Sequence, residues 1–137
     1  MRKIKFRAWD KKRELWLWAN GALGKHFTSG NQYGGWELNI NPNVILMQFT
    51  GLKDKNGKEI YEGDILRLPI NKKRFMIDPK IYGQNYIIQW QELRGCFQLK
   101  HATRDLDYHG FDKEEAMEVI GNIYENPDLL PSDNKKV

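Results

Sequence analysis

A single cysteine, Cys96, in 137 residues leaves no intramolecular disulfide and no multi-cysteine zinc site, and it fits a reducing compartment. Long apolar runs are also missing, since polar residues break every apolar stretch short of the roughly 20 residues that cross a bilayer. The basic N-terminus MRKIKFRAWD is interrupted before it reaches the length of a signal-peptide core. The expectation is a mature cytoplasmic chain with no membrane partner. The glycines form neither the phosphate-loop spacing nor the dinucleotide fingerprint, so no nucleotide cofactor is implied. No fixed-period repeat is present, which excludes solenoids and propellers.

What is there is aromatic and basic. Trp9, Trp16, Trp18, Trp36 and Trp90 offer large contact areas, and a chain of this length can bury one sizeable core. A single domain is expected over 1–130, with a flexible tail over 131–137. Charge is unevenly placed: residues 1–111 hold 19 Lys and Arg against 11 Asp and Glu, whereas residues 112–137 hold 3 against 7. A basic body with an acidic end can attract an acidic partner or a second copy, although solvated faces account for the same pattern.

Strand signals dominate the chain. KIKFRAW alternates, with Ile4, Phe6 and Ala8 on one face and Lys3, Lys5, Arg7 and Trp9 on the other. DKKR turns the chain into ELWLW, where Leu15 and Leu17 oppose Trp16 and Trp18. Both faces of that strand are apolar, and one needs a cover, which makes Trp16 and Trp18 interface candidates. Residues 20–35 read as a surface loop or a weak hairpin. WELNI restores alternation, and VILMQF has the look of a strand buried on both sides.

Asn56-Gly57, between Leu52 and Ile60, predicts a hairpin with a type I′ turn, its tip kept wet by Lys53, Asp54, Lys55 and Lys58. Glu62-Gly63-Asp64 predicts the next corner, with Gly63 at positive φ. The strand ILRLPI is then limited by Pro69 to an edge or an end. YIIQW and CFQLK form a hairpin across QELRG, with Phe97 and Leu99 on one face. Asp112 is a candidate N-cap for a short helix before a strand at EVIGNIYE, and Pro127 starts a last helical turn at PDLL. The fold expected is mainly β: a small, partly open antiparallel barrel or curled sheet, comparable to an SH3-like barrel, with one or two short C-terminal helices.

Chemical sites are thin. Glu62 and Asp64 are the nearest thing to a carboxylate pair, but turn carboxylates more often bind backbone. His101 and His109 flank Asp105 and Asp107 at a spacing that matches no zinc motif, so no metal is assigned. Cys96, in a strand pattern without a neighbouring histidine, reads as a buried inert thiol. No catalytic residue is assigned, and the chain is expected not to be an enzyme. The face bearing Lys3, Lys5, Arg7 and Trp9 is the candidate binding site, able to hold phosphates and stacked bases if nucleic acid is the partner.

KIKFRAWD at the start, MQFTGLKDKNGKEIYEGDI in the middle and EVIGNIYENPDLL near the end together resemble the YopX family of phage and prophage proteins. The resemblance implies a small phage-borne protein with a ring-like homo-oligomeric assembly, and it carries over no catalytic residue. The expected function is a self-assembling, non-enzymatic binding module that acts on a host protein or defence signal. Nucleic-acid binding through the N-terminal strand is the alternative.

Overall fold

The computed structural model describes residues 3–18, 28–30, 36–38, 42–68, 84–102, 108–109 and 117–130, with backbone alone at 18, 28–30, 36–38 and 108–109. The fold is mainly β, with antiparallel sheets of which one is a curled half-barrel. The chain divides into two compact units, Met1–Gln48 and Phe49–Val137. The strand β5 (Val44–Lys53) runs through the point of division.

In the first unit, β1 (Phe6–Asp10) lies between β2 (Leu15–Trp18) and the start of β5, antiparallel to both. The DKKR turn forms as expected. Asp10 Oδ1 accepts from the N–H groups of Lys12 and Arg13 at 2.9 and 3.0 Å, and the Asp10 carbonyl accepts from Glu14 N–H at 2.8 Å. The alternation expected in β1 breaks down after Arg7, because Ala8, Trp9 and Asp10 are all buried. The pairing with β5 is regular through Asp10, and the register shift against β2 places its extra residue, Leu17, on β2, so β1 keeps its pleat and is covered on both faces at this end. Of the segment 20–35, read as a loop or a weak hairpin, only residues 28–30 are described. Here β3 (Thr28–Gly30) pairs with β4 (Trp36–Leu38).

In β5, Met47 and Phe49 are buried while the residues between and around them are half-buried. The apolar run is thus covered mainly on one face, not on both as its composition implied. The strand also runs further than expected, through TGLK. Gly51 at φ 90° shifts the register against β6 (Glu59–Tyr61), and Thr50 Oγ1 spans the gap by donating to the Ile60 carbonyl at 2.9 Å.

The second unit adds β7 (Asp64–Arg67), β8 (Asn85–Gln91), β9 (Cys96–His101), β10 (Tyr108–His109) and β11 (Glu118–Asn122). Their order is β10-β9-β8-β7-β11: four strands meander and the fifth returns beside the first. That connectivity is the one expected of an SH3-like sheet. An interior strand between β8 and β11, β7 buries Leu66 in one apolar cluster with Ile60, Leu68, Tyr86, Ile88, Leu99, Met117 and Val119. On its other side Ile65 joins Ala102 and Leu130. It ends at Arg67, before Pro69, so the proline limits its end and not its place in the sheet.

Among the described residues helix is confined to one 3-10 turn, Pro127–Leu129, after which Leu130 is extended. Of the expected C-terminal helices, the last turn at PDLL is this 3-10 turn, and the helix capped by Asp112 lies outside the described residues. Before it, Asn122 Oδ1 accepts from Tyr124 and Glu125 N–H at 3.0 and 2.9 Å, and Asn126 Oδ1 accepts from Asn122 N–H at 3.2 Å. The Asn126 side chain thereby passes so close to Gly121 that a Cβ there would lie 2.5 Å from its Oδ1.

The Asn56-Gly57 hairpin forms, but not with a type I′ turn. Gly57 has φ 81° while Asn56 does not have positive φ, and Gly57 N–H donates to the Asp54 carbonyl at 3.0 Å. This is a three-residue loop: a type I turn over Asp54–Gly57, then a left-handed glycine. The Gly57 position is open, with nothing near a would-be Cβ, so its requirement is purely one of backbone angle. Gly57→Val is expected to cost about 1–3 kcal/mol from that strain, read as a lowered denaturation midpoint. Gly121→Ala is expected to destabilise for the opposite reason, collision at ordinary backbone angles, by about 1–3 kcal/mol; a neutral Gly121→Ala melt would show that Asn126 moves aside freely.

Candidate functional site

The N-terminal face does not present the open aromatic platform its alternation suggested. Trp9 is buried at 6% exposure, and its ring meets that of Trp16 edge-on with centroids 5.0 Å apart. The Arg7 guanidinium lies 4.8 Å over the Trp16 ring and reaches Met47 Sδ at 3.7 Å. Arg7, Trp9 and Trp16 therefore form one stack within the first unit, held together by a cation–π contact and an edge-to-face pair. Bases cannot stack on Trp9 from outside. Lys3 is exposed and Lys5 half-buried, so they keep the charge of the expected face without its aromatic partner. Trp16, read as an interface candidate, is half-covered by its own chain. Trp18 belongs to β2 opposite Ala8, and its side chain lies outside the described residues.

The carboxylates follow one rule. Asp10, Asp54 and Asp64 are the buried acids among the described residues, and each accepts hydrogen bonds from main-chain N–H groups. Asp64, 1% exposed, accepts from Tyr61 N–H at 2.8 Å across the corner where Gly63 takes φ 80° as expected. Gly63 is tied on both sides of its peptide frame, donating to the Ile88 carbonyl at 2.9 Å and accepting from Ile123 N–H at 3.0 Å. Glu62 is half-buried instead, and its charge, after burial itself, raises the pKa of Tyr124. The two acids of this corner thus serve different neighbours.

Asp54 departs most from expectation. The sequence placed it at a wet hairpin tip, yet it is 9% exposed. Its Oδ1 accepts from Asn56 and Lys58 N–H at 2.8 and 2.9 Å, while Oδ2 accepts from Val119 N–H at 3.1 Å, 65 residues away. Burial by itself raises the Asp54 pKa, but the N–H groups of Val119, Lys58 and Asn56, with the Lys58 charge, outweigh it and hold the carboxyl below its ordinary value. Aspartate at the first position of a type I turn was a readable signal for the two local bonds; nothing in the sequence pointed to Val119.

His101 is buried at 3% exposure with its ring edge-on to Tyr86 at 5.2 Å, so it sits in the core. His109 lies in β10 without a described side chain, and Asp105 and Asp107 fall outside the described residues. Among the described residues no three His, Cys, Asp or Glu side chains gather in a way that would hold a metal ion. Cys96 is exposed, contrary to expectation, because it opens β9 at the tip of the β8–β9 hairpin. The same hairpin end carries Trp90, 41% exposed and edge-on to Phe97 at 5.0 Å, and Leu93, 95% exposed. No described helix is long and apolar enough to cross a membrane.

These features describe an antiparallel β protein whose buried acids hold turns and whose exposed apolar groups stand at a hairpin end. The chain belongs to the YopX family: the family model described as YopX protein matches residues 5–131. Among solved structures it is similar to protein EF1440 from Enterococcus faecalis, at 27% identity and TM-score 0.59, over 96% of this chain and 100% of that one. It also matches protein yopX from Bacillus subtilis at 21% identity and TM-score 0.45, over 96% and 98% of the two chains. No curated protein matches.

The lowered Asp54 pKa sets a direction for acid stability. Ionised Asp54 is favoured in the folded chain, so its contribution is complete above the unfolded value of about 3.9 and is lost as pH falls through the lower folded value. Asp54→Ala is expected to cost about 2–3 kcal/mol at pH 7, chiefly from the buried Val119 N–H left without an acceptor. In urea titrations the gap to wild type should narrow below pH 4; a gap unchanged at pH 2 would contradict a charge-dependent role.

Proposed function

We propose that this YopX-family protein is a non-enzymatic binding module that assembles with copies of itself, a phage or prophage accessory working in the host cytoplasm. The observation that carries the self-assembly is the end of the β8–β9 hairpin. Leu93 is 95% exposed and Trp90 is 41% exposed, beside Cys96 and between the charged, exposed Glu92 and Arg94. An aromatic and an aliphatic side chain ringed by charge have the make-up of a contact centre with a polar rim. The exposed Leu15 of β2, at 42%, agrees with the same reading for the first unit.

The non-enzymatic half of the reading rests on how the acids are used. Asp10, Asp54 and Asp64 have their oxygens turned to main-chain N–H groups. A general acid or base needs its carboxyl within reach of a substrate proton, and these are occupied in the interior.

Sedimentation velocity at micromolar concentration tests the assembly. Wild-type chain is expected to run as an oligomer, and the double variant Trp90→Ser with Leu93→Asp to dissociate with at least tenfold weaker association while keeping its fold by circular dichroism. A wild-type chain that remains a monomer throughout that range would overturn the reading.

A further inference from the structure

The β5–β6 hairpin tip does more than turn the chain. Among the described strands β11 ends the five-stranded sheet, so one of its edges is paired with β7 and the other is not paired with a described strand. An edge of that kind presents main-chain donors and acceptors to any extended segment that arrives. In β11 the segment Met117–Glu118–Val119 meets the tip instead. Lys55 N–H donates to the Met117 carbonyl at 2.9 Å, and Val119 N–H donates to Asp54 Oδ2 at 3.1 Å.

These two bonds reproduce one rung of an antiparallel ladder. In such a ladder the carbonyl of one residue and the N–H two residues on point the same way, and a neighbouring strand answers them with an N–H and a carbonyl. Here Lys55 supplies the N–H, and the Asp54 carboxylate stands where a carbonyl would. The Lys55 ammonium adds an ion pair to Glu118 at 2.7 Å. At the other end of β11, Asn126 Oδ1 accepts from Asn122 N–H, so a side-chain oxygen again takes a main-chain donor of the strand.

We propose that the β5–β6 tip is a strand mimic that occupies the outer edge of β11 and keeps that edge from pairing with a second copy of the chain. The arrangement directs self-association to other surfaces, and it holds whether or not the β8–β9 hairpin end is one of them. Its occupant is built in, and the three covering groups come from two adjacent residues, Asp54 and Lys55. Loosening the tip therefore frees Met117 and Val119 together.

Lys55→Pro is the variant of choice. Position 55 is the second residue of a type I turn, where proline is favoured, so the turn is kept while the N–H to Met117 and the ammonium are both removed. Asp54→Asn is the companion variant, since an amide offers one acceptor oxygen where the carboxylate offers two. Hydrogen exchange is followed at the Val119 amide in dilute and concentrated samples, with Ile88 and Leu99 amides reporting that the core stays folded, and with sedimentation run in parallel. In dilute samples of either variant the Val119 amide is expected to exchange at least tenfold faster than in wild type. In concentrated samples its protection should return as association strengthens at least tenfold over wild type. Slow exchange in dilute Lys55→Pro would show that the tip does not cover the edge. Fast exchange at every concentration, with association as in wild type, would show that the uncovered edge does not pair.

Discussion

One carboxylate ties together the two ends of the second unit. Asp54 lies in a loop between two short strands, and its oxygens accept from Asn56, Lys58 and Val119 N–H groups. The first two bonds shape a turn that any short hairpin needs; the third reaches 65 residues along the chain. A group able to do both must be charged and nearly dry, because a carboxylate offers several acceptor sites at once and gains strength when water is excluded. The shape of the tip and the cover over the Val119 N–H follow from that one side chain.

The same solution recurs in smaller form. Asp10 closes the β1–β2 turn and Asp64 closes the corner between β6 and β7, each by accepting main-chain N–H groups at 2.8 to 3.0 Å. Asn122 does it with a neutral oxygen before the 3-10 turn. Short strands leave many backbone groups at their ends, and where the strands are packed those groups cannot all be left to water. Aspartate and asparagine are short enough to bend back onto the chain, which suits these residues to the corners.

The apolar residues divide along similar lines. β7 is paired on both edges by β8 and β11 and covered on both faces, with Leu66 in one apolar cluster and Ile65 in another. Trp9 and Trp16 close on each other and on Arg7. Leu93 and Trp90 are left exposed at a hairpin end where no described strand covers them.

Local chemistry determined much of this protein without help from the fold. The antiparallel strands at KIKFRAW, CFQLK and EVIGN, the left-handed glycines at 57 and 63, and the turn after Pro127 are set by period and by φ preference, which act over a few residues. Tertiary structure alone decided the rest. It buried Trp9 by bringing Trp16 alongside, exposed Cys96 by placing it at a hairpin end, and buried Asp54 by delivering Val119 to it. Alternation says which residues share a face, but not what covers that face. That depends on strand order, and strand order is fixed by partners far apart in the chain whose pairing leaves no local trace.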